Sequence, residues 1–447
     1  MKTWREAANV YLDRRMLVIL FLGFSSGLPL LLVFSTLSVW LKIEGVSLTA
    51  IGLFSLVRTP YTFKFLWAPV IDRITLPVLG RLLGRRRGWA IATQAALMAS
   101  IVAMASTSPA ENPAATAFFA LLVAFFSASQ DIVIDAYRVE ILEDDQQGAG
   151  AGTIVLGYRM GMLTAGAGAL WLASVFTWNQ VYTIMGIVVV VGMITVLAAP
   201  EPRTDGSARS AEAEEERVRG HLASGMSPRL ARLLAWFYEA VIAPFRDLMT
   251  RPGWGAIILF IMLYKLGEAY LGVMANPFYV EMGFTTVEIA NVSKVFGLGA
   301  TIAGGLIGGV MVSRLGIMRT LMICGVLQIA GTLVFVLQAL AGHSVPMLIV
   351  TIAAENVTSG MATSAFVAYL SSLCSQAYTA TQYALLSSFM AFARDVLSAS
   401  AGWMAEYLDW VGFFLFSAAA AVPGLLVLLW LMRRFPPEPG ITAPARL

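Results

Sequence analysis

Charge is what this 447-residue chain lacks most: only 13% of it is Asp, Glu, Lys or Arg. Soluble domains carry about 25%. With 58% hydrophobic residues and a mean hydropathy of +0.76, the chain cannot assemble a polar surface to face water. A cytosolic enzyme and a secreted globular domain are thereby excluded, and lipid is the solvent that fits. Cysteine is nearly absent too. Cys324 and Cys374 each lie in or beside an apolar run, so neither a disulfide framework nor a zinc site is implied. Two histidines, His221 and His343, are too few for a metal centre. The net charge of +3 gives no sign of nucleic acid. No G-x-x-x-x-G-K-[ST] string is present, which argues against ATP-driven pumping, and there is no H-E-x-x-H. Gly23 to Gly27 fits the hydrolase elbow G-x-S-x-G, but it falls inside an apolar helix rather than on a strand-to-helix turn. The chain reads as no enzyme and calls for no cofactor.

What is present is a series of long apolar runs. A bilayer core about 30 Å thick needs around 20 apolar residues in a helix. Such runs fall at 16–41, 48–70, 88–107, 114–139, 149–176, 179–199, 254–280, 286–312, 317–341, 345–373, 377–404 and 410–432. The first is not followed by an A-x-A-type cleavage site and reads as a retained span. Alternate connections hold nearly all the basic residues outside the spans: Lys2, Arg5, Arg14 and Arg15, then Arg73, Arg81 and Arg85 to Arg87, then the central loop, Arg314 with Arg319, and Arg433 with Arg434. The opposite set holds essentially Lys42. The positive-inside rule then places both termini and the central loop in the cytoplasm. The predicted organisation is an N-terminal six-helix bundle over 1–199, a linker over 200–252 and a C-terminal six-helix bundle with a short tail over 253–447. The linker's first half, with Glu212 and Glu214 to Glu216, reads as solvated. In its second half Leu230, Leu233, Leu234, Phe237 and Val241 recur at helical spacing, while Arg229, Arg232 and Glu239 fall elsewhere. That pattern predicts either a helix lying on the membrane surface or one packed against the bundle ends.

The two halves share punctuation. Asp72-Arg73 and Gly84-Arg85-Arg86-Arg87 follow span two; Ser313-Arg314-Leu315-Gly316 and Arg319 follow span eight. Spans two and eight carry Arg58 and Lys294 early, and spans five and eleven carry Arg159 and Arg394. Two similar bundles around a central cavity are the layout of a secondary transporter. Several strings go further: GFSSGLPL at Gly23 to Leu30, FKFLWAPVIDR at Phe63 to Arg73, GRRRGW at Gly84 to Trp89, SASQDIVIDAYR at Ser127 to Arg138, and VLGYRMGML at Val155 to Leu163. They continue in order with LYKLGEAY at Leu263 to Tyr270, TSAFVAYL at Thr363 to Leu370, ATQYALLS at Ala380 to Ser387 and FSAAAAVPGL at Phe416 to Leu425. Along nearly its whole length the chain resembles the muropeptide permease (AmpG) family of the major facilitator superfamily. Some members continue past span twelve with further helices, and there this chain departs from them.

A charge at the centre of a span costs about 2.5–3.5 kcal/mol on insertion scales, so those retained should have work to do. The spans hold Arg58, Lys64, Arg159, Lys265, Lys294 and Arg394 against Asp131, Asp135, Glu268, Glu355 and Asp395. Near balance predicts a network of pairs around a wet cavity. Asp131 and Asp135 are four apart and share a helix face. Two carboxylates so close disfavour double ionisation, so one can take up a proton on one side and release it on the other. Asp135, near the cytoplasmic end, reads equally as a gate residue, because the resemblance implies a carboxylate there that latches loop arginines such as Arg73. Lys265 and Glu268 are three apart; either they form a satisfied pair, or the pair opens so that substrate carboxylate takes Lys265 while Glu268 is protonated. Proton coupling is thus expected of Asp131, Asp135, Glu268 and Glu355.

The resemblance implies a proton symporter that imports anhydro-muropeptides into the cytoplasm for peptidoglycan recycling and β-lactamase induction, driven by the proton motive force. Such a solute is large, hydroxyl-rich and anionic. Lys64, Arg159 and Lys265 are expected to bind its carboxylates, with Gln130, Asp131 and Asn356 hydrogen-bonding hydroxyls and Tyr61, Trp67, Tyr158 and Tyr264 lining the cavity. Gate or structural roles fall to Asp72, Arg73, Asp135, Arg138, Arg314 and Arg394. The expected setting is the bacterial inner membrane, with a monomer as the default for this fold. An importer of a siderophore or acyl-CoA-like solute is the alternative, followed by drug efflux, then a membrane enzyme or receptor.

Overall fold

Lipid offers backbone N–H and C=O groups no partners, so a chain this apolar must satisfy them within helices. The computed structural model describes residues 9–46, 54–202, 206–224, 226–285, 288–397 and 400–435, and these contain helices and no strand. Lys2 and Arg5, and the side chains of Lys294 and Asp395, lie outside the described residues. Among the described residues nine helices are long and apolar enough to cross a membrane: Arg14–Ile43, Arg85–Ala105, Pro113–Ile141, Trp178–Ala198, Trp254–Glu281, Asn291–Leu315, Ile317–Ala341, Val345–Ser372 and Ala401–Arg434. They occupy nine of the twelve expected positions, as spans one, three, four, six to ten and twelve.

The other three positions are also helical, but interrupted or polar. Span two (54–73) is a chain of short turns, with Pro60 and Pro69 opening its pieces and a single 3-10 turn at Lys64–Leu66 between them. Span five (147–173) contains a π turn at Thr164–Gly168. Span eleven, Thr379–Leu397, carries Thr381, Gln382, Ser387, Ser388 and Arg394. Span seven breaks at Tyr264-Lys265, between Trp254–Leu263 and Leu266–Glu281. The last helical run kinks at Asp409, whose φ of 56° and bond from the Gly412 N–H (2.8 Å) cap span twelve afresh where the sequence predicts its start.

Each half has an aromatic-rich core. One is built on Trp40, Leu97, Ile101 and Tyr182, the other on Phe260, Phe366 and Tyr369 with a second cluster around Phe278, Phe335 and Phe414. A further cluster of spans one to six takes in Ala380 and Ala384 of span eleven, so the halves meet there. They also meet where span five crosses span eight. A Cβ added at Gly152 would lie 2.8 Å from the Gly305 carbonyl oxygen, so only glycine permits this approach.

The shared punctuation has a structural counterpart. Gly84 (φ +93°) and Gly316 (φ +82°) each open the next helix from a left-handed conformation that glycine alone adopts readily. Glu201, read as part of a solvated linker, instead caps span three: its carboxylate accepts the Arg86 N–H (2.8 Å) and the Arg87 N–H (3.0 Å). The linker itself folds as Gly206–Ala223 and Pro228–Phe237, continuing through a π turn at Tyr238–Ile242 to Ala243–Met249. Ala231, Ala235 and Glu239 are buried, whereas Leu230, Leu233, Leu234 and Phe237 are 39–60% exposed. One face is packed inward and the apolar face is turned outward.

Candidate functional site

On the N-terminal half, the break in span two brings Lys64 into the bundle, where it is buried with Nζ 4.0 Å from Asp135. Asp135 also lies 3.9 Å from the wholly buried Arg138 guanidinium, which rests over the Tyr383 ring of span eleven. One turn away Asp131 accepts the Ser26 hydroxyl at 2.5 Å and lies within Coulombic reach of Lys64. The i, i+4 spacing therefore does place both carboxylates on one face, as expected. Trp67 is beside them, its indole N–H donating to Ser129 (3.0 Å) and its ring against Phe125. Tyr61 packs on Phe34, and Tyr158 and Arg159 are half-buried on span five.

Gln130 departs from its expected role. It is fully buried, donates to the Ser25 carbonyl (2.9 Å) and accepts from the Ser25 hydroxyl, which also receives Gln94. Its amide braces spans one, three and four. Ser25 and Ser26, the serines of the apparent hydrolase elbow, thus serve as a brace and as the partner of Asp131.

On the C-terminal half, the break in span seven presents Lys265 to Glu268, and the ammonium also donates to Thr363 (2.9 Å). Glu268 accepts further bonds from Gln328 (2.5 Å) and Ser359 (2.9 Å). The pair is closed and fully satisfied in this state. Gln328, Ser359 and Thr363 escaped the sequence reading, since they come from spans nine and ten and no spacing along the chain marks them. Tyr264 and Asn356 are corrected as well. The Tyr264 hydroxyl is buried and donates to the Leu321 carbonyl (2.9 Å). Asn356 accepts from Thr301 (2.7 Å) and donates to the Ile352 carbonyl (3.0 Å), so its amide is occupied by helix packing. Glu355 differs from both: its Oε2 is buried without a hydrogen-bond partner among the described residues.

The basic end of the bundle is closed by a third cluster. Asp72 is buried, accepts Arg86 at 2.7 Å, and reaches across to span eleven, where the Thr381 N–H (3.1 Å) and hydroxyl (3.0 Å) donate to it. Glu140 holds the other edge of Arg86 (2.9 Å), and Arg85 donates to the Asp72 carbonyl (2.7 Å). Arg73 lies 3.3 Å from Glu214 and 3.9 Å from Glu239 of the linker. Glu239 also accepts Arg217 (2.5 Å) and the Tyr378 hydroxyl (2.8 Å). The expected Asp135–Arg73 latch is therefore replaced: Asp72 and Glu140 hold Arg86, Glu239 holds Arg73, and Asp135 faces Lys64 and Arg138. Arg314 ends span eight at this same end. Arg394 sits far from it, exposed near the other end of span eleven and within Coulombic reach of Tyr158.

Two charged walls, one in each half, with an interlock at one end, are the anatomy of a carrier rather than of a catalytic centre. The comparisons agree. The chain matches the Major Facilitator Superfamily over residues 16–394 and 274–447. It is 41% identical to the anhydromuropeptide permease of Escherichia coli (strain K12), covering 94% of this chain and 80% of that one. It is 34% identical to putative transporter AmpG 4 of Rickettsia felis, covering 95% and 98%. Among solved structures, the proton:xylose symporter XylE bound to 6-bromo-6-deoxy-D-glucose superposes with a TM-score of 0.63 at 14% identity, over 97% of this chain and 96% of that one. That likeness speaks for the fold alone. The chain is a multi-pass membrane permease, not an enzyme, and belongs to the AmpG family of the major facilitator superfamily.

Proposed function

We propose that this permease imports anhydromuropeptides from the periplasm to the cytoplasm by proton symport, feeding peptidoglycan recycling and β-lactamase induction. The observation that carries the cargo is the 41% identity, along 94% of the chain, to a permease named for that solute. The charged walls support it, since a large anionic sugar-peptide needs cations and polar groups inside an otherwise apolar bundle. Residues 1–199 and 253–447 would rock as two bundles joined by 200–252. The basic end and both termini face the cytoplasm of an inner-membrane protein. The Asp72–Thr381 interlock then makes this the state closed to the cytoplasm. The protein works as a monomer, without a cofactor, on the proton motive force.

Asp131 is the favoured proton carrier. Ser26 supplies its one hydrogen bond among the described residues, and the neighbouring Asp135 already faces Lys64 and Arg138. Glu268 accepts three donors in this state and would take part only when the Lys265 pair opens. The test is uptake of labelled anhydromuropeptide into proteoliposomes under an imposed inward proton gradient. Gradient-stimulated uptake is expected. If none occurs while a siderophore or acyl-CoA-like solute enters, the cargo is wrong. With Asp131→Asn, gradient-driven uptake should fall at least about tenfold, the equivalent of about 1.4 kcal/mol, while exchange of substrate across the membrane continues. Persistence of both would exclude Asp131 as carrier.

A further inference from the structure

Two charges in the walls are not used by the clusters above. Arg159, on span five of the N-terminal half, is half-buried, its guanidinium 3.9 Å from the Met162 sulfur, with no acidic partner among the described residues. Glu355, on span ten of the C-terminal half, has its Oε2 buried without a hydrogen-bond partner among the described residues, and the described charges that act on it, Lys265 and Glu268, are already bound to each other. Spans five and ten pack together. Their relative depth can be read from Gly305: a Cβ there would lie 3.9 Å from the Val155 side chain and 4.0 Å from the Gly360 carbonyl oxygen. Arg159 stands four residues beyond Val155, and Glu355 five residues beyond Gly360, both toward the end opposite the interlock. At about 1.5 Å per residue the two charges sit at the same depth, one on each half.

Leaving a charge in such a place without a partner is costly, and a ligand that supplies one recovers that cost. We infer that Arg159 and Glu355 are a bipolar clamp, Arg159 taking a carboxylate and Glu355 a primary ammonium of one peptide-bearing solute. The inference rests on the cargo proposed above and narrows it: the preferred peptide carries a free amine as well as a carboxylate. Guanidinium suits a planar carboxylate, which it can grip with two parallel bonds. An ammonium on Glu355 neutralises a carboxylate that has no cation of its own among the described residues. Because the two groups belong to different halves, a solute that bridges them draws the halves together. Recognition of both its charges is thereby tied to closure over it.

The experiment is competition against uptake of labelled anhydromuropeptide in proteoliposomes. Three competitors are used: an anhydromuropeptide with a free primary amine, the same molecule acetylated at that amine, and the disaccharide without peptide. In the wild type, acetylation should raise the half-inhibiting concentration about tenfold. In Glu355→Gln the two peptides should compete alike, each about as weakly as the acetylated peptide does in the wild type. Equal competition by both peptides in the wild type overturns the clamp, and so does an equal weakening of all three competitors in Glu355→Gln. Glu355→Asp, which keeps the charge, should retain discrimination and shows that the position tolerates change. If the wild type takes up no anhydromuropeptide, the cargo falls and the clamp with it. If uptake is robust but acetylation has no effect, only the clamp falls.

Discussion

Lys265 and Glu268 show what a single side chain is worth when lipid surrounds it. Removing one partner of a buried ion pair strands the other, at a cost of about 3–5 kcal/mol, whereas replacing both is far milder. Lys265→Ala should therefore lower the thermal unfolding midpoint and the folded yield sharply. Lys265→Gln combined with Glu268→Gln should recover most of the loss. A double-mutant cycle in detergent-solubilised protein reads the difference. At this scale the sequence was legible wherever partners share a helix: the spacing of Lys265 and Glu268, and of Asp131 and Asp135, is enough to make them neighbours. It was illegible where the partner comes from another helix. Ser26, Gln328, Ser359 and Thr363 hold the charges from a distance in sequence that no periodicity records. Gln130 and Asn356 were misread for the same reason, since an amide near a cavity charge looks free until its neighbour is known. A spin-label distance between positions 81 and 319 should lengthen in Asp72→Asn, which weakens the bonds from Arg86 and Thr381.

Helices carry a different kind of information. The leucine pattern of Pro228–Phe237 announces an amphipathic helix, but not which way it faces. The structure turns Leu230, Leu233 and Phe237 outward and buries Glu239, contrary to the habit of soluble helices. An apolar face directed away from the protein is stable where lipid meets it. Leu233→Asp with Phe237→Asp should leave the detergent-solubilised protein folded, yet expose a spin label at position 234 to water-soluble relaxant in vesicles. A label equally wet in the parent protein would contradict the arrangement. Where spans five and eight cross, even one methyl group is too much. Gly152→Val should cost about 1–3 kcal/mol through overpacking and slow transport, as unfolding and uptake measured side by side will show. The carbonyl that Gly152 makes room for belongs to another span, so no spacing along the chain announces it.

At the scale of the whole molecule, the arginine-rich end is built from charge pairs that cross between halves and linker, while each half keeps its own aromatic core. Composition and loop charge were enough to read the spans and their two bundles, because hydrophobic length and the cost of moving arginines through lipid are properties of segments, not of contacts. Which carboxylate latches which arginine depends on how the bundles sit together. Hence Asp135 and Arg73, plausible partners along the chain, are parted in space.

Glu239 binds Arg73 of one half, Tyr378 of the other and Arg217 of its own linker. On the proposed import cycle, opening at this end frees that one carboxylate, and the empty carrier restores it on the way back. The linker is in that sense an escapement: it releases the mechanism one stroke at a time. A turnover limited there is indifferent to the size of the solute. Tyr378→Phe, which removes one tooth, should speed the return of the empty carrier and raise the maximal uptake rate and the concentration for half-maximal uptake together, leaving their ratio unchanged.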